Sequence, residues 1–114
     1  MRVVKKFVRA FSGFNQMLAT ELSLKIEVLA GLVVLAAAYF FQVTRFEFLF
    51  IVGAVFGLII LEGINTVLER VVDLSQPHYH EAVKEIKDAL AAVVLLAVVA
   101  AAIVGAVIFW PYLF

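Results

Sequence analysis

One stretch of the sequence, from residue 89 to residue 110, contains 22 consecutive residues without an acidic or basic side chain. A helix of about 20 apolar residues can cross the hydrocarbon core of a bilayer, so this stretch alone predicts a membrane span. Two shorter apolar runs, 28–41 and 48–61, precede it. Of the 114 residues, 66% are hydrophobic, whereas a soluble domain has about 45–50%. We therefore expect an all-α integral membrane protein.

The two shorter apolar runs are too short to cross a membrane alone, because each has only 14 residues. Each reaches the length of a span when amphipathic residues at its inner end are included. The sequence then predicts membrane helices at about 22–43, 46–72 and 85–110, all within a single domain of residues 1–114. A single re-entrant hairpin made of the first two runs is the alternative.

The first 20 residues are predicted to form an amphipathic helix. An apolar stripe recurs at helical spacing through Phe7, Phe11, Phe14 and Leu18. The other positions of this segment carry the basic residues Arg2, Lys5, Lys6 and Arg9. A basic helix with an aromatic stripe is typical of a segment that lies in the headgroup plane. The alternative is an ordinary packing face, and a signal peptide is not expected because the segment has no apolar core.

The basic residues also predict an orientation, since cytoplasmic loops carry the excess of lysine and arginine. Five lie before or at the start of the first span, one lies between the first two spans, and three lie between the second and third. This places the N-terminus in the cytoplasm.

Nine basic and nine acidic residues cancel, so no nucleic-acid partner is expected. The absence of cysteine excludes disulfides, thiolate metal sites and cysteine nucleophiles.

Four polar side chains share one face of the second predicted span, at about 100° per residue: Glu62, Asn65, Glu69 and Asp73. With the span starting near Phe46, Glu62 lies roughly 24 Å along the helix, at the inner edge of a hydrocarbon core about 30 Å thick. A carboxylate at that depth is costly and indicates function. Glu69 lies two turns further, about 10 Å outward, in water.

This vertical arrangement fits a reaction between a membrane substrate and a soluble one. Glu62 lies at headgroup depth, where it can take a proton from a hydroxyl. Glu69, with Glu21 at the inner start of the first span, can hold a magnesium ion and a phosphate donor. Lys87 and Asp88 precede the third span, and Lys87 can neutralise phosphate charge. A snorkelling anchor is the alternative for Lys87.

Two further features concern nucleotide binding. His78, Tyr79 and His80 lie in the loop before the third span, and we favour nucleotide contact over metal binding because two histidines alone do not complete a metal site. The glycines form neither a P-loop nor a protein-kinase glycine-rich loop. Any ATP must therefore be bound by another device.

Short motifs that together indicate one protein family are spread over nearly the whole chain. They are Phe7-x-x-Ala10-x-x-Gly13, then Glu21 with Lys25, then Glu62-x-x-Asn65-Thr66-x-x-Glu69-x-x-x-Asp73, then Tyr79-His80 and Lys87-Asp88. In these motifs the sequence resembles the bacterial diacylglycerol kinase and undecaprenol kinase family. The resemblance implies a homotrimer in the bacterial inner membrane, with three spans and an interfacial N-terminal helix. It also implies transfer of the γ-phosphoryl group of MgATP to the hydroxyl of a membrane lipid.

The resemblance further implies roles for individual residues. Glu62 would be the general base, Asn65 would orient this base and the lipid, and Glu21 and Glu69 would hold the metal. The nucleotide would be contacted by Arg2, Arg9, Glu21, Glu69, His78, Tyr79, His80, Lys87 and Asp88. The lipid would be contacted by Lys6, Phe7, Ala10, Phe11 and Glu62. Asn65-Thr66, Asp73-Leu74 and Arg45-Phe46-Glu47 favour the undecaprenol kinase branch over diacylglycerol kinases.

Two functions from other classes remain as alternatives. A small cation or proton channel would use the Glu62 face to line a pore, but it leaves Lys87-Asp88 unexplained, and the other two spans are almost wholly apolar. A structural oligomerisation module would use the small residues of the third span, and it has no need of the acidic face.

Overall fold

The computed structural model describes residues 1–75 and 81–114. Within these ranges the chain is all-helical, and its helices are α1 (Arg2–Thr20), α2 (Leu22–Phe41), α3 (Arg45–Ser75) and α4 (Glu81–Leu113). The last three are each long and apolar enough to cross a membrane. The predicted arrangement of an N-terminal helix followed by three membrane-capable helices is therefore confirmed.

The joint between α1 and α2 is a single residue, Glu21. Its backbone is extended, with φ −114° and ψ 112°, so the helix cannot continue through it. Its N–H still donates to the Met17 carbonyl over 2.9 Å, which closes the last turn of α1. Because α2 begins at the next residue, Glu21 lies where the chain changes direction. This places its carboxylate at the start of the first membrane-capable helix.

The side chains of α1 stay on the surface of the chain. None of its residues is buried, and the Phe11 side chain, near the middle of the helix, is 71% exposed. Its amphipathic pattern therefore leaves an apolar face that the described residues cover only in part. Near its end, α1 lies against α3, since the Met17 methyl group is 3.8 Å from where a Cβ on Gly63 would stand.

The turn between α2 and α3 determines where α2 ends and where α3 begins. α2 ends at Phe41, two residues before the predicted bound, because Gln42 adopts the left-handed conformation with φ 53° and ψ 51°. Such a residue commonly terminates a helix. α3 then begins with a reciprocal cap: Glu47 N–H donates to Thr44 Oγ1 over 3.2 Å, and Thr44 N–H donates to Glu47 Oε1 over 2.9 Å.

The helices α3 and α4 are longer than a membrane requires. They contain 31 and 33 residues, which correspond to about 46 and 50 Å against a hydrocarbon core of about 30 Å. α4 continues to Leu113, through Pro111, three residues past the predicted end of the span. Near that end the Tyr112 hydroxyl donates to Glu47 Oε1 over 2.5 Å, which ties α4 to the start of α3.

Little of the apolar surface is covered within one chain. A small core forms around Ala38, Ile51 and Ile108, one residue from each membrane-capable helix. Elsewhere, Gly31 allows α2 to approach α3 closely, because a Cβ there would stand 2.7 Å from Val55 Cγ1. Only 6% of the most apolar segment of α4 is buried inside the chain. Most apolar side chains therefore face outward, as expected of helices whose solvent is lipid.

Candidate active site

The buried polar residues of the described chain lie next to each other on α3. Glu62 is 7% exposed and Thr66, one turn further along the helix, is 4% exposed. Glu62 is 17 residues from the start of α3 at Arg45, or about 25 Å along the helix. Burying an ionisable group costs free energy, so Glu62 is a candidate for a chemical task.

Asn65 and Glu69 form the next part of this face. The Asn65 amide Nδ2 donates to Glu69 Oε1 over 3.4 Å, one turn away. The other end of the amide, Oδ1, is buried and accepts no hydrogen bond from the part of the chain that the structure describes. A buried acceptor without a donor is costly. The geometry therefore leaves an oxygen available for a hydroxyl or another donor brought by a ligand.

The acidic residues converge from two helices. Glu62 on α3 interacts electrostatically with Glu69 on the same helix and with Glu21 at the joint of α1 and α2. The spacing of Glu62 and Glu69 follows from one helix, but the approach of Glu21 depends on how α2 packs against α3. The structure thus brings together three of the residues that the sequence singled out.

Glu27 is a further acidic residue of this region that the sequence reasoning missed. It lies on α2, interacts electrostatically with Glu62, and has one buried carboxylate oxygen, Oε2, without a hydrogen-bond partner among the described residues. The signal was available, since Glu27 is a charged residue immediately before the apolar run 28–41. Charged residues at such positions are functional candidates.

An apolar cavity of about 590 Å³ opens from Glu27 between α2, α3 and α4. Small and branched side chains form most of its wall, among them Gly31, Val34, Ile51, Leu58, Ala101 and Gly105. A cavity with one carboxylate at its rim and apolar walls suits an amphiphile with a polar head and a hydrocarbon chain.

The basic residues near the site are held by acidic partners. Lys87 Nζ, near the start of α4, is 2.7 Å from Asp73 Oδ1 on α3, and it also interacts electrostatically with Glu69. Lys84 Nζ is 2.7 Å from Asp88 Oδ2. Both pairs are exposed enough that water screens them. Lys87 therefore lies beside the acidic face of α3, which is formed by Glu62, Glu69 and Asp73. Asp88 lies one turn from Lys84, and both are on α4.

The predicted residues of α1 lie apart from this acidic face. No hydrogen bond or ion pair joins Arg2, Lys6 or Arg9 to it within residues 1–75 and 81–114. Phe7, Ala10 and Phe11 line an apolar hollow of about 530 Å³ against α2 and α3. The three remaining predicted residues, His78, Tyr79 and His80, lie outside the described residues.

Carboxylate oxygens on α3 and at the joint of α1 and α2 are of the type that binds hard divalent cations. The described residues contain no group of three or more acidic or histidine side chains arranged to hold a metal by themselves. Glu21 and Glu69 offer two carboxylates, and magnesium is commonly bound by one or two carboxylates with waters and substrate phosphates as its other ligands. The donor set therefore fits a hard divalent cation that arrives with a phosphate compound.

A family model and several known proteins match this chain over most of its length. The family described as prokaryotic diacylglycerol kinase matches residues 8–109. The undecaprenol kinase of Bacillus subtilis is 32% identical over 112 residues, which cover 98% of this chain and 91% of that protein. A diacylglycerol kinase of Synechocystis is 36% identical over 106 residues, 92% of this chain and 61% of that protein. The diacylglycerol kinase of Escherichia coli is 26% identical over 111 residues, 97% of this chain and 91% of that protein.

Proposed function

Because the chain belongs to the prokaryotic diacylglycerol kinase family and is a lipid kinase, we propose that it transfers the γ-phosphoryl group of ATP to the hydroxyl of a membrane lipid. Magnesium is the proposed metal. Residues 1–114 then form one membrane-embedded kinase domain, with residues 1–20 in the headgroup plane. The proposal goes beyond family membership in assigning the donor, the metal and the residues that act.

One observation carries the residue assignments: buried Glu62 lies one turn from Asn65, whose Oδ1 is buried and has no donor among residues 1–75 and 81–114. A lipid hydroxyl placed between them has a base for its proton and an amide to orient it. Glu62 accepts the proton while the lipid oxygen forms its bond to the γ-phosphorus. The bond from that phosphorus to the bridging oxygen breaks, and ADP leaves with the electron pair.

The donor half of the reaction is assigned to the residues further along α3 and to its neighbours. Glu21 and Glu69 would hold the divalent ion, which neutralises phosphate charge and orients the γ-phosphoryl group when bound. Lys87 and Asp88 would contact the phosphates. The exposure of Lys87, and its position beside Glu69, support this role. Further nucleotide contacts are proposed for Arg2, Arg9, His78, Tyr79 and His80.

The acceptor half is assigned to the apolar surfaces around Glu62. The hollow lined by Phe7, Ala10 and Phe11, with Lys6 at the headgroup level, would hold part of the lipid. Undecaprenol is the proposed acceptor in preference to diacylglycerol, and the support is the set of short sequence features shared with that branch. Identity alone does not separate the two, since relatives with both names match at 32% and 36%.

Assembly and location complete the proposal. The outward-facing apolar surfaces of α2, α3 and α4 leave room for contact between chains, and a homotrimer is proposed. The chain would lie in the bacterial inner membrane with its N-terminus in the cytoplasm. The excess of basic residues on one side of the predicted spans supports that orientation.

The direct test is transfer of label from γ-labelled ATP with magnesium, measured in parallel with undecaprenol and diacylglycerol at equal mole fraction in one detergent. We expect both labelled lipids to form, with undecaprenyl phosphate forming faster. Faster labelling of diacylglycerol would overturn the lipid preference and leave the kinase assignment intact. Absence of label in both lipids, with folded protein, would overturn the proposed reaction.

A further inference from the structure

Arg70 makes polar contacts that join the C-terminal part of α3 to the joint between α1 and α2. Its Nη2 donates to Glu21 Oε1 over 3.0 Å and to Thr20 Oγ1 over 2.8 Å. Glu21 and Thr20 precede Arg70 by 49 and 50 positions in the sequence. A single guanidinium therefore fixes both the last residue of α1 and the joint residue itself.

The contacts of Arg70 orient the carboxylate of Glu21. Arg70 follows Glu69 directly on α3, so a hydrogen bond from Arg70 draws Glu21 towards the same end of the helix. The hydrogen bond from the guanidinium goes to Oε1 of Glu21, and no hydrogen bond joins the described residues of α3 to its Oε2. The contact thus orients the carboxylate without using all of its capacity as a ligand.

We infer that Arg70 is a positioning residue, which holds Glu21 beside Glu69 and thereby sets the concentration of divalent cation that the enzyme needs. The inference rests on the proposed roles of Glu21 and Glu69 as metal ligands. Arg70 itself touches neither substrate nor reacting atoms. It acts through Glu21 and through the joint to which Glu21 belongs.

Two effects of Arg70 on a bound cation oppose each other. Its positive charge repels a metal ion, whereas its hydrogen bonds keep the carboxylate in place before the metal arrives. The side chains of Arg70 and Glu21 are 42% and 36% exposed, so water and salt screen the repulsion. Orientation by a hydrogen bond is not screened in this way, and on the α1 side of the joint no residue is buried, although Leu24 anchors the α2 side. Orientation therefore outweighs repulsion.

The first measurement is a magnesium titration of activity at saturating ATP. In Arg70→Ala the half-saturating magnesium concentration should rise about three- to tenfold, the range expected for losing a half-exposed charged hydrogen bond. Turnover at saturating magnesium should stay near the wild-type value. Arg70→Lys should recover part of the loss, since an ammonium group can reach one of the two acceptors. Arg45→Ala, at the opposite end of α3, is the matched control and should leave the titration unchanged.

The second measurement does not depend on activity. The chain has no cysteine, so spin labels can be attached at Ser12→Cys on α1 and Leu74→Cys on α3. The label-to-label distance should be narrowly distributed with Arg70 present and should broaden in Arg70→Ala. An unchanged distribution, or a half-saturating magnesium concentration that stays constant or falls, would overturn the inference.

A separate variant distinguishes failure of this inference from failure of the ligand assignment. Glu21→Gln with Arg70 intact should raise the half-saturating magnesium concentration. If that titration is unaltered, Glu21 is not a ligand, and the proposed metal site fails whatever Arg70 does to the distance distribution. If Glu21→Gln behaves as expected but Arg70→Ala changes neither measurement, only the role of Arg70 is lost.

Discussion

Asn65 and Glu69 are joined by a hydrogen bond of 3.4 Å from the Asn65 amide to Glu69 Oε1, one helical turn apart on α3. The same amide has its oxygen buried without a donor among the described residues. Asn65 therefore connects the carboxylate proposed for the metal with the region around buried Glu62. A side chain in this position can couple the placement of the lipid hydroxyl to the placement of the nucleotide.

Asn65→Ala removes both the hydrogen bond to Glu69 and the buried oxygen proposed to orient the lipid hydroxyl. We expect kcat/KM for the lipid to fall about 10- to 100-fold, as for the loss of a buried hydrogen bond of about 1.5–3 kcal/mol. The check is steady-state kinetics with lipid as the varied substrate. Ser75→Ala, at the exposed end of α3, serves as the control. An unaltered kcat/KM in the Asn65 variant would show that the buried oxygen is not used by the substrate.

Glu69→Gln keeps the shape and hydrogen-bonding reach of the side chain but removes its charge. If Glu69 is a metal ligand, the half-saturating magnesium concentration should rise by at least about tenfold, since even indirect metal contacts are worth 10–100-fold. A magnesium titration of activity measures this directly. A variant that is slower but has the wild-type magnesium dependence would exclude Glu69 as a ligand.

Gly31→Ala tests the close approach of α2 and α3. The new Cβ would meet Val55 Cγ1 at 2.7 Å, and the β-branched valine has little freedom to move aside. We expect a loss of stability of about 1–3 kcal/mol, typical of overpacking, measured by thermal unfolding in detergent. Gly53→Ala is the matched control, because nothing lies within 4 Å of its new Cβ. Equal behaviour of the two variants would contradict the observed packing.

Tyr112→Phe removes the hydroxyl that ties α4 to Glu47 at the far end of the bundle. The thermal unfolding midpoint should fall, because Glu47 loses a donor while its contacts to Thr44 remain. Kinase activity per folded molecule should stay unchanged, because the contact lies at the opposite end of α3 from Glu69. Tyr39→Phe is the control, since that side chain is largely exposed. A loss of activity without a loss of stability would assign Tyr112 a different role.

The sequence was sufficient for features that one helix determines. Uncharged length predicted the three membrane-capable helices, and they are present. A rotation of about 100° per residue predicted that Asn65 and Glu69 share a face, and the two are in contact. Their roles in catalysis stay predictions, because geometry alone does not assign chemistry.

The sequence was not sufficient for features that depend on how helices cross. The contact of Arg70 with Glu21 and that of Tyr112 with Glu47 join residues 49 and 65 positions apart, and no periodicity within one segment specifies such pairs. The sequence marks Glu27 as a charged residue beside an apolar run, but its approach to Glu62 depends on how α2 packs against α3. The end of α2 at Phe41 depended on the left-handed conformation of Gln42, which a non-glycine residue rarely adopts.

The most direct test of the whole account is the turnover of Glu62→Gln in the labelled ATP assay, with ATP binding measured on the same sample. Glutamine keeps the size of the side chain and removes its ability to take a proton. The account predicts that turnover falls by roughly 10²–10⁴ while ATP affinity is retained, and that Glu85→Gln, at an exposed carboxylate of α4, remains fully active. Turnover of Glu62→Gln close to that of the wild type would contradict the account, because Glu62 would then not be the base.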